Sequence, residues 1–243
     1  MKKRRLFSLF LSFALLLPLF SLTSADAYED FDLDAKAGLL IEADTGEILY
    51  EKNAHQENYP ASLTKVMVAL LVFEAIDEGK IALTDSVTAT ESAFEGLSSD
   101  GSTANIVPGE TMTVEQLLNC MLIVSANEAC NILGETLYGS VDAFVARMNE
   151  RATELGCEHT HFANATGLHN SQHYTTAWDL YLITREAMKH DKFMEICNSK
   201  SYTVPATNMT DKPRELHSTN FLISNWRARG YVYRDAQGIK TGS

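Results

Sequence analysis

Basic residues are scarce in this sequence: 20 lysines and arginines face 32 aspartates and glutamates, a formal net charge of -12 over 243 residues. Lys2, Lys3, Arg4 and Arg5 are four of those bases; without residues 1–27 the balance is 16 bases against 31 acids, or -15. Such a surface repels a phosphate backbone, so nucleic acid is excluded as a partner. The 5 prolines and 13 glycines are too few for a linker or low-complexity chain, and 45% hydrophobic residues exclude disorder. Four cysteines (Cys120, Cys130, Cys157, Cys197) are too few for a secreted disulfide scaffold. They read as buried thiols, with a Cys120–Cys130 bridge across a turn as the alternative. No glycine-rich nucleotide loop and no His-Glu-x-x-His helix is present. Cys157/His161 and His169/His173 have i, i+4 spacing, with His159 nearby, but the loop-like Asn164 to Gly167 separates the pairs. No metal and no cofactor is therefore expected.

What is present begins with an address. Lys2 to Arg5 form a basic n-region, Leu6 to Leu22 an apolar run, and Ala25-Asp26-Ala27 a small-x-small cleavage pattern. Residues 1–27 are predicted to be a signal peptide, with a retained membrane anchor as the rival. Either way residues 28–243, the working domain, are expected to be exported across the cytoplasmic membrane and to lie outside the cytoplasm.

Two short apolar runs, Ala37 to Asp44 and Glu47 to Asn53, flank Thr45-Gly46 and predict a β-hairpin. Pro60-Ala61-Ser62 opens a long helical pattern to Gly79 carried by Leu63, Val66, Met67, Leu70, Leu71 and Phe73. Thr113-Val-Glu-Gln116 is a capping box for a helix to about Val124. Ser125-Ala126-Asn127 interrupts it before a second helix, Glu128 to about Leu137. Ser140 and Thr176 cap two more. Tyr231 to Ser243 is predicted as a final hairpin whose strands share a sheet with the first. The class is α+β in one domain, without repeats or linkers.

Three short motifs carry chemistry. Ser62-Leu-Thr-Lys65 alone has little weight, since 18 serines and 11 lysines make that spacing arise about once by chance. Its placement is informative. Ser62 and Lys65 share a face of the first helical turn, and a lysine buried there would have a lowered pKa and could act as base to the hydroxyl. An N-cap serine beside a surface lysine is the plainer alternative. Ser125-Ala-Asn127 fixes a hydroxyl and an amide in a turn between apolar helices; local backbone bonding would also explain it. Ser218-Thr-Asn220 repeats that pattern but sits in a polar stretch and is predicted to be a solvent-exposed turn or cap. Lys240-Thr-Gly242 is the rarest, expected by chance in roughly one chain of twenty. A lysine and threonine there would suit a carboxylate, and the glycine lets a ligand approach the backbone. A lysine-blunted edge strand is its alternative.

Together these motifs resemble the penicillin-binding proteins and serine β-lactamases, whose signature is S-x-x-K with S-D-N and K-T-G. Here the middle motif is Ser-Ala-Asn. Further segments resemble the D-alanyl-D-alanine carboxypeptidases among them: Ala37-Gly-Leu-Leu40, Pro60 to Lys65, Ser125 to Cys130, Asn164-Ala-Thr-Gly-Leu168 and His173 to Asp179. The resemblance implies an antiparallel sheet flanked by helices, with an all-helical subdomain. It implies that Ser62 attacks the penultimate D-alanine carbonyl of a peptidoglycan stem peptide, with Lys65 as proton acceptor and Ser125 as relay to the leaving D-alanine. Asn127 would hold a substrate amide, and Lys240 and Thr241 the terminal carboxylate, beside Gly242. Backbone N–H groups of Ser62 and Ser243 would form the oxyanion hole. β-Lactam antibiotics would be covalent inhibitors.

A class A β-lactamase is the nearest rival, but no Glu-x-x-x-Asn element lies between Asn127 and Ala177. A non-catalytic penicillin sensor or wall-binding module would not need Ser62 and Lys65 together. The family usually continues beyond K-T-G with further strands and a C-terminal helix, and many members add a β-rich domain and an amphipathic anchor. This chain stops at Ser243, so the resemblance implies a catalytic domain truncated at its C-terminal end. Peripheral membrane association through that missing region is an expectation of the same kind.

Overall fold

A computed structural model describes residues 33–242; the predicted signal peptide and Ser243 lie outside them. Lys36 onward forms one compact unit. Its first elements are β1 (Gly38–Ile41) and β2 (Ile48–Lys52), paired antiparallel with Leu40 opposite Tyr50. The predicted turn joins them. Glu42 carboxylate accepts from the Thr45 amide and hydroxyl, both at 2.6 Å, and Gly46 takes φ 75°.

The long helical pattern resolves into two pieces. A 3-10 helix, Ala61–Thr64, carries Ser62, and α1 (Lys65–Asp77) follows. Every α1 residue from Lys65 to Phe73 is buried, so this helix is the axis of the core rather than a surface stripe. Each fully buried Val or Leu there contributes about 1.5–3 kcal/mol. Around α1 pack α2 (Val114–Ile123), α3 (Asn127–Tyr138), α4 (Val141–Glu154) and α5 (Ala177–Ala187), with α6 (Asp191–Cys197) against α2. The expected caps are made. Thr113 Oγ1 accepts from Gln116 N at 3.2 Å while Gln116 Oε1 accepts from Thr113 N at 2.9 Å; Ser140 and Thr176 cap α4 and α5.

Two more antiparallel pairs complete the described elements: β3 (Ser86–Thr88) with β4 (Thr111–Thr113), and β5 (Ser201–Val204) with β6 (Arg214–His217). The class is α+β. The predicted final hairpin is not formed, however: 231–242 contains no strand, and among the described residues β1 pairs only with β2. Tyr231, Val232 and Tyr233 are exposed, and isolated bonds take the place of a ladder. Tyr233 N donates to Leu222 O at 2.9 Å, Ala236 N to Tyr233 O at 3.2 Å, and Asn220 Nδ2 to Gly238 O at 2.6 Å. β-Branched and aromatic composition favours a strand only where another strand faces it.

All four cysteines are free thiols, with Cys120, Cys130 and Cys197 buried.

Candidate active site

The polypeptide enters the site through a strained turn. Pro60 O accepts from Leu63 N, and Ala61 sits at φ 48°, a left-handed conformation unusual for alanine. That turn presents Ser62, half-buried, just ahead of α1. Lys65 follows three residues later at 0% exposure. Its Nζ has three oxygen neighbours: Ser62 Oγ at 3.2 Å, Asn127 Oδ1 at 2.8 Å and the Thr166 carbonyl at 2.5 Å. The predicted surface-lysine alternative is thereby ruled out for Lys65.

The protonation of this amine decides what the cluster can do. Burial pushes the Lys65 pKa down, against weaker opposing pulls from Cys130 and from Glu128. A neutral amine keeps two N–H donors. The Thr166 carbonyl and Asn127 Oδ1 can only accept, so those donors go to them, and the lone pair faces Ser62 Oγ–H. In that neutral state the arrangement would aim a lone pair at a hydroxyl.

Asn127 begins α3, and its N–H donates to Ser102 O at 2.9 Å. A methyl group on Gly101 would meet Asn127 Nδ2 at 2.7 Å, so residues 101–102 lie directly on this amide. Glu128, buried beside it, accepts from Thr103 Oγ1 and from the amides of Ala104 and Ile106. Ser125 lies in the turn between α2 and α3 at φ 65°. Its hydroxyl is buried and lacks a hydrogen-bond partner among the described residues. Buried hydroxyls are ordinarily paired, and orphaned ones mark a functional reserve.

The Lys240-Thr-Gly242 segment runs beside the serine turn: a methyl on Gly242 would touch Leu63 Cγ at 3.2 Å and Pro60 O at 3.3 Å. Lys240 Nζ donates to Thr241 O at 2.8 Å. Its pKa falls to about 8, chiefly through burial. Thr241 Oγ1 meets Thr219 Oγ1 at 2.7 Å. That contact corrects the expectation for Ser218-Thr-Asn220. Ser218 is 7% exposed, its Oγ accepts from Asn220 N at 3.2 Å, and Thr219 N donates to Ile123 O. The segment is a strut under Thr241, buried at Ser218 and half-buried at Thr219 and Asn220, and its polar side chains make internal bonds.

Sequence reasoning gave no role to three residues that shape the site, Asn164, Thr166 and Gly167. Asn164 Oδ1 accepts from Thr166 N, Thr166 Oγ1 and Gly167 N, a turn that directs the Thr166 carbonyl at Lys65. Gly167, at φ 87°, lies so close to the serine turn that an added methyl would sit 1.9 Å from Ala61 O. The Asn-Ala-Thr-Gly string was their only signal. Cys130 stands close enough to Lys65 to feel its charge, but burial pushes its thiol up to about 11, so it is no nucleophile at neutral pH. Among the described residues no His, Cys, Asp and Glu side chains are grouped for a metal. His161 Nδ1 instead meets Gln172 O at 2.5 Å.

Comparison with known proteins follows the same residues. The family model described as D-alanyl-D-alanine carboxypeptidase matches residues 23–243. The chain belongs to the D-alanyl-D-alanine carboxypeptidase family. D-alanyl-D-alanine carboxypeptidase DacF of Bacillus subtilis (strain 168) is 39% identical over 209 residues, which is 86% of this chain and 51% of that protein. DacA of Escherichia coli (strain K12), of the same descriptive name, is 35% identical over 214 residues, 86% of this chain and 50% of that protein. The chain therefore spans about half the length of these curated family members. Among solved structures, the Streptomyces K15 DD-transpeptidase superposes with a TM-score of 0.78 at 30% identity, covering 89% of this chain and 82% of that one. The fold is thus that of the DD-peptidase penicillin-binding proteins.

Proposed function

We propose that this chain is the catalytic part of an exported serine-type D-alanyl-D-alanine carboxypeptidase that removes the terminal D-alanine from peptidoglycan stem pentapeptides. The observation that carries the reading is the buried Lys65 amine facing Ser62 Oγ at 3.2 Å, with its other two hydrogen bonds committed elsewhere. Ser62 Oγ attacks the penultimate D-alanine carbonyl as its proton passes to Lys65. Ser62 N–H supports the developing oxyanion; in related acyl-transfer chemistry such a donor is worth about 3–4 kcal/mol. The C–N bond breaks, the leaving D-alanine amine takes a proton through the Ser125 hydroxyl, and water then cleaves the acyl-enzyme and regenerates Ser62.

Lys240 and Thr241 hold the terminal carboxylate, and Asn127 a substrate amide. Ser243, the other expected oxyanion donor, lies outside the described residues. β-Lactams are substrate mimics that acylate Ser62 and stay there. The basic, apolar and small-residue pattern of residues 1–27 supports export to the side where peptidoglycan is found. No described helix is long and apolar enough to cross a membrane.

The likeness to a protein titled DD-transpeptidase favours one second reading, in which the same acyl-enzyme passes to an amine instead of water. Incubation with a fluorescent penicillin and then with a pentapeptide, with and without an added amine, tests both. Labelling at Ser62 with D-alanine release supports hydrolysis, while amide product identifies transfer. Absence of labelling overturns the reading.

A further inference from the structure

The left-handed Ala61 that precedes the nucleophile costs about 1 kcal/mol or more and must be held by its surroundings. Its carbonyl oxygen is gripped on two sides. Gly167 packs so near it that an added methyl would lie 1.9 Å away, and Thr64 Oγ1 donates to it at 2.8 Å. Thr64 is 0% exposed, so water cannot share the task. Behind Thr64 stands His173, 1% exposed, with Nε2 2.7 Å from Thr64 Oγ1. Its other ring nitrogen, Nδ1, accepts from Ala163 N at 3.1 Å.

These bonds permit one tautomer. Ala163 N–H can only donate, so Nδ1 carries no proton. Thr64 has committed its own proton to Ala61 O, so Nε2–H must be the donor to Thr64 Oγ1. Burial above all pushes this imidazole down to about 4, which keeps it neutral at physiological pH. The chain of donors therefore runs in a fixed direction: Ala163 N–H, His173, Thr64, Ala61 O.

Its end point is chemically significant because the Ala61 carbonyl and the Ser62 N–H belong to one planar peptide unit. Whatever holds the oxygen also aims the N–H in the opposite direction. We infer that His173 is a positioning residue for acyl transfer, acting through Thr64 and the Ala61–Ser62 peptide to point the Ser62 N–H at the substrate oxyanion. The inference rests on the carboxypeptidase reading and adds to it a residue that touches neither substrate nor nucleophile. Its nearest carrier, Thr64, lies 109 positions away in sequence.

The test separates binding from chemistry in the full-length protein. Stopped-flow acylation by a fluorescent penicillin yields the non-covalent dissociation constant and the acylation rate constant. His173→Ala is expected to lower the rate constant at least tenfold and to leave the dissociation constant within twofold. His173→Gln, whose amide can accept from Ala163 N and donate to Thr64, is expected to recover most of that loss. Thr64→Val, equal in shape, is expected to match His173→Ala, and the double variant to lose nothing further. Should His173→Ala fail to fold, Thr64→Val and His173→Gln decide the matter between them. Variants that acylate at the wild-type rate, or glutamine no better than alanine, overturn the inference. A wild-type protein that penicillin does not label overturns the carboxypeptidase reading and the inference together.

Discussion

Lys65 Nζ and Asn127 Oδ1 lie 2.8 Å apart, although 62 positions separate them in sequence. The bond joins the first residue of α1 to the first residue of α3, so two helix starts converge on one amine. Thr166 O supplies the third corner from a loop a hundred residues downstream of Lys65. A buried amine with two fixed acceptors has one direction left for its lone pair, and that direction contains Ser62 Oγ. Proton acceptance is then a matter of geometry as much as of pKa.

Replacement of Lys65 tests this directly. Lys65→Arg keeps a cation but removes the base, because a guanidinium does not deprotonate in a protein. Acylation by penicillin is expected to fall by about 100-fold or more. In the wild type, acylation should slow as pH drops through the lowered Lys65 pKa, since protonation consumes the lone pair. An arginine variant that acylates at near the wild-type rate would show that Lys65 acts by charge alone.

Ser125 and Ser218 both precede an asparagine by two residues, yet their surroundings differ. The Ser125 hydroxyl is buried without a partner among the described residues, whereas Ser218 Oγ accepts from Asn220 N. Ser125→Ala removes an unsatisfied group and is expected to raise stability by about 1 kcal/mol while D-alanine release falls at least tenfold. Ser218→Ala breaks a buried bond and is expected to cost about 1 kcal/mol with acylation by penicillin kept. Thermal unfolding beside the two assays checks both; the reverse pattern would reassign the proton relay.

Local signals in the sequence translated well. The Thr113/Gln116 capping box, the Thr176 cap and the Thr45-Gly46 turn depend on neighbours within a few positions, and each was legible. The Tyr231-Val-Tyr233 run was misread because a strand is made by its partner, and composition does not reveal one. Ser218 to Asn220 looked exposed because its residues are polar; the structure spends that polarity on Thr241, on Gly238 O and on the segment's own Asn220 N. Thr166 and Gly167 were illegible for a different reason. They act through a carbonyl oxygen and through the absence of a side chain, and neither leaves a chemical signature in the sequence.

Gly167 makes a sharp test of how tightly the serine turn is held. An added methyl would lie 1.9 Å from Ala61 O and 2.9 Å from Ser62 N, at a φ of 87° that side chains resist. Backbone must move, because no flexible side chain is there to yield. Gly167→Ala is expected to cost about 3 kcal/mol or more and to abolish penicillin labelling in whatever protein remains folded. Labelling at the wild-type rate would mean that the turn tolerates displacement and that its geometry is not critical.

On the proposed mechanism Lys240 has the opposite protonation requirement from Lys65, since it would have to stay charged to hold a carboxylate. Burial above all pushes it down to about 8, with Cys130 and Cys197 pulling weakly upward. Above pH 8 the ammonium is lost, and the penicillin dissociation constant is expected to rise toward tenfold per pH unit. Stability should move the other way. Between about 8 and the ordinary lysine value of 10.5 the unfolded chain binds more protons than the folded one, so Lys240 makes the fold more stable as pH rises. Weakening affinity alongside this favourable contribution separates loss of the ammonium from alkaline unfolding. Lys240→Arg, which stays charged, is expected to remove the alkaline loss of affinity. Measuring the dissociation constant from pH 7 to 10 in both proteins checks it, and an arginine variant that weakens at the same pH would show that the carboxylate is held by another group.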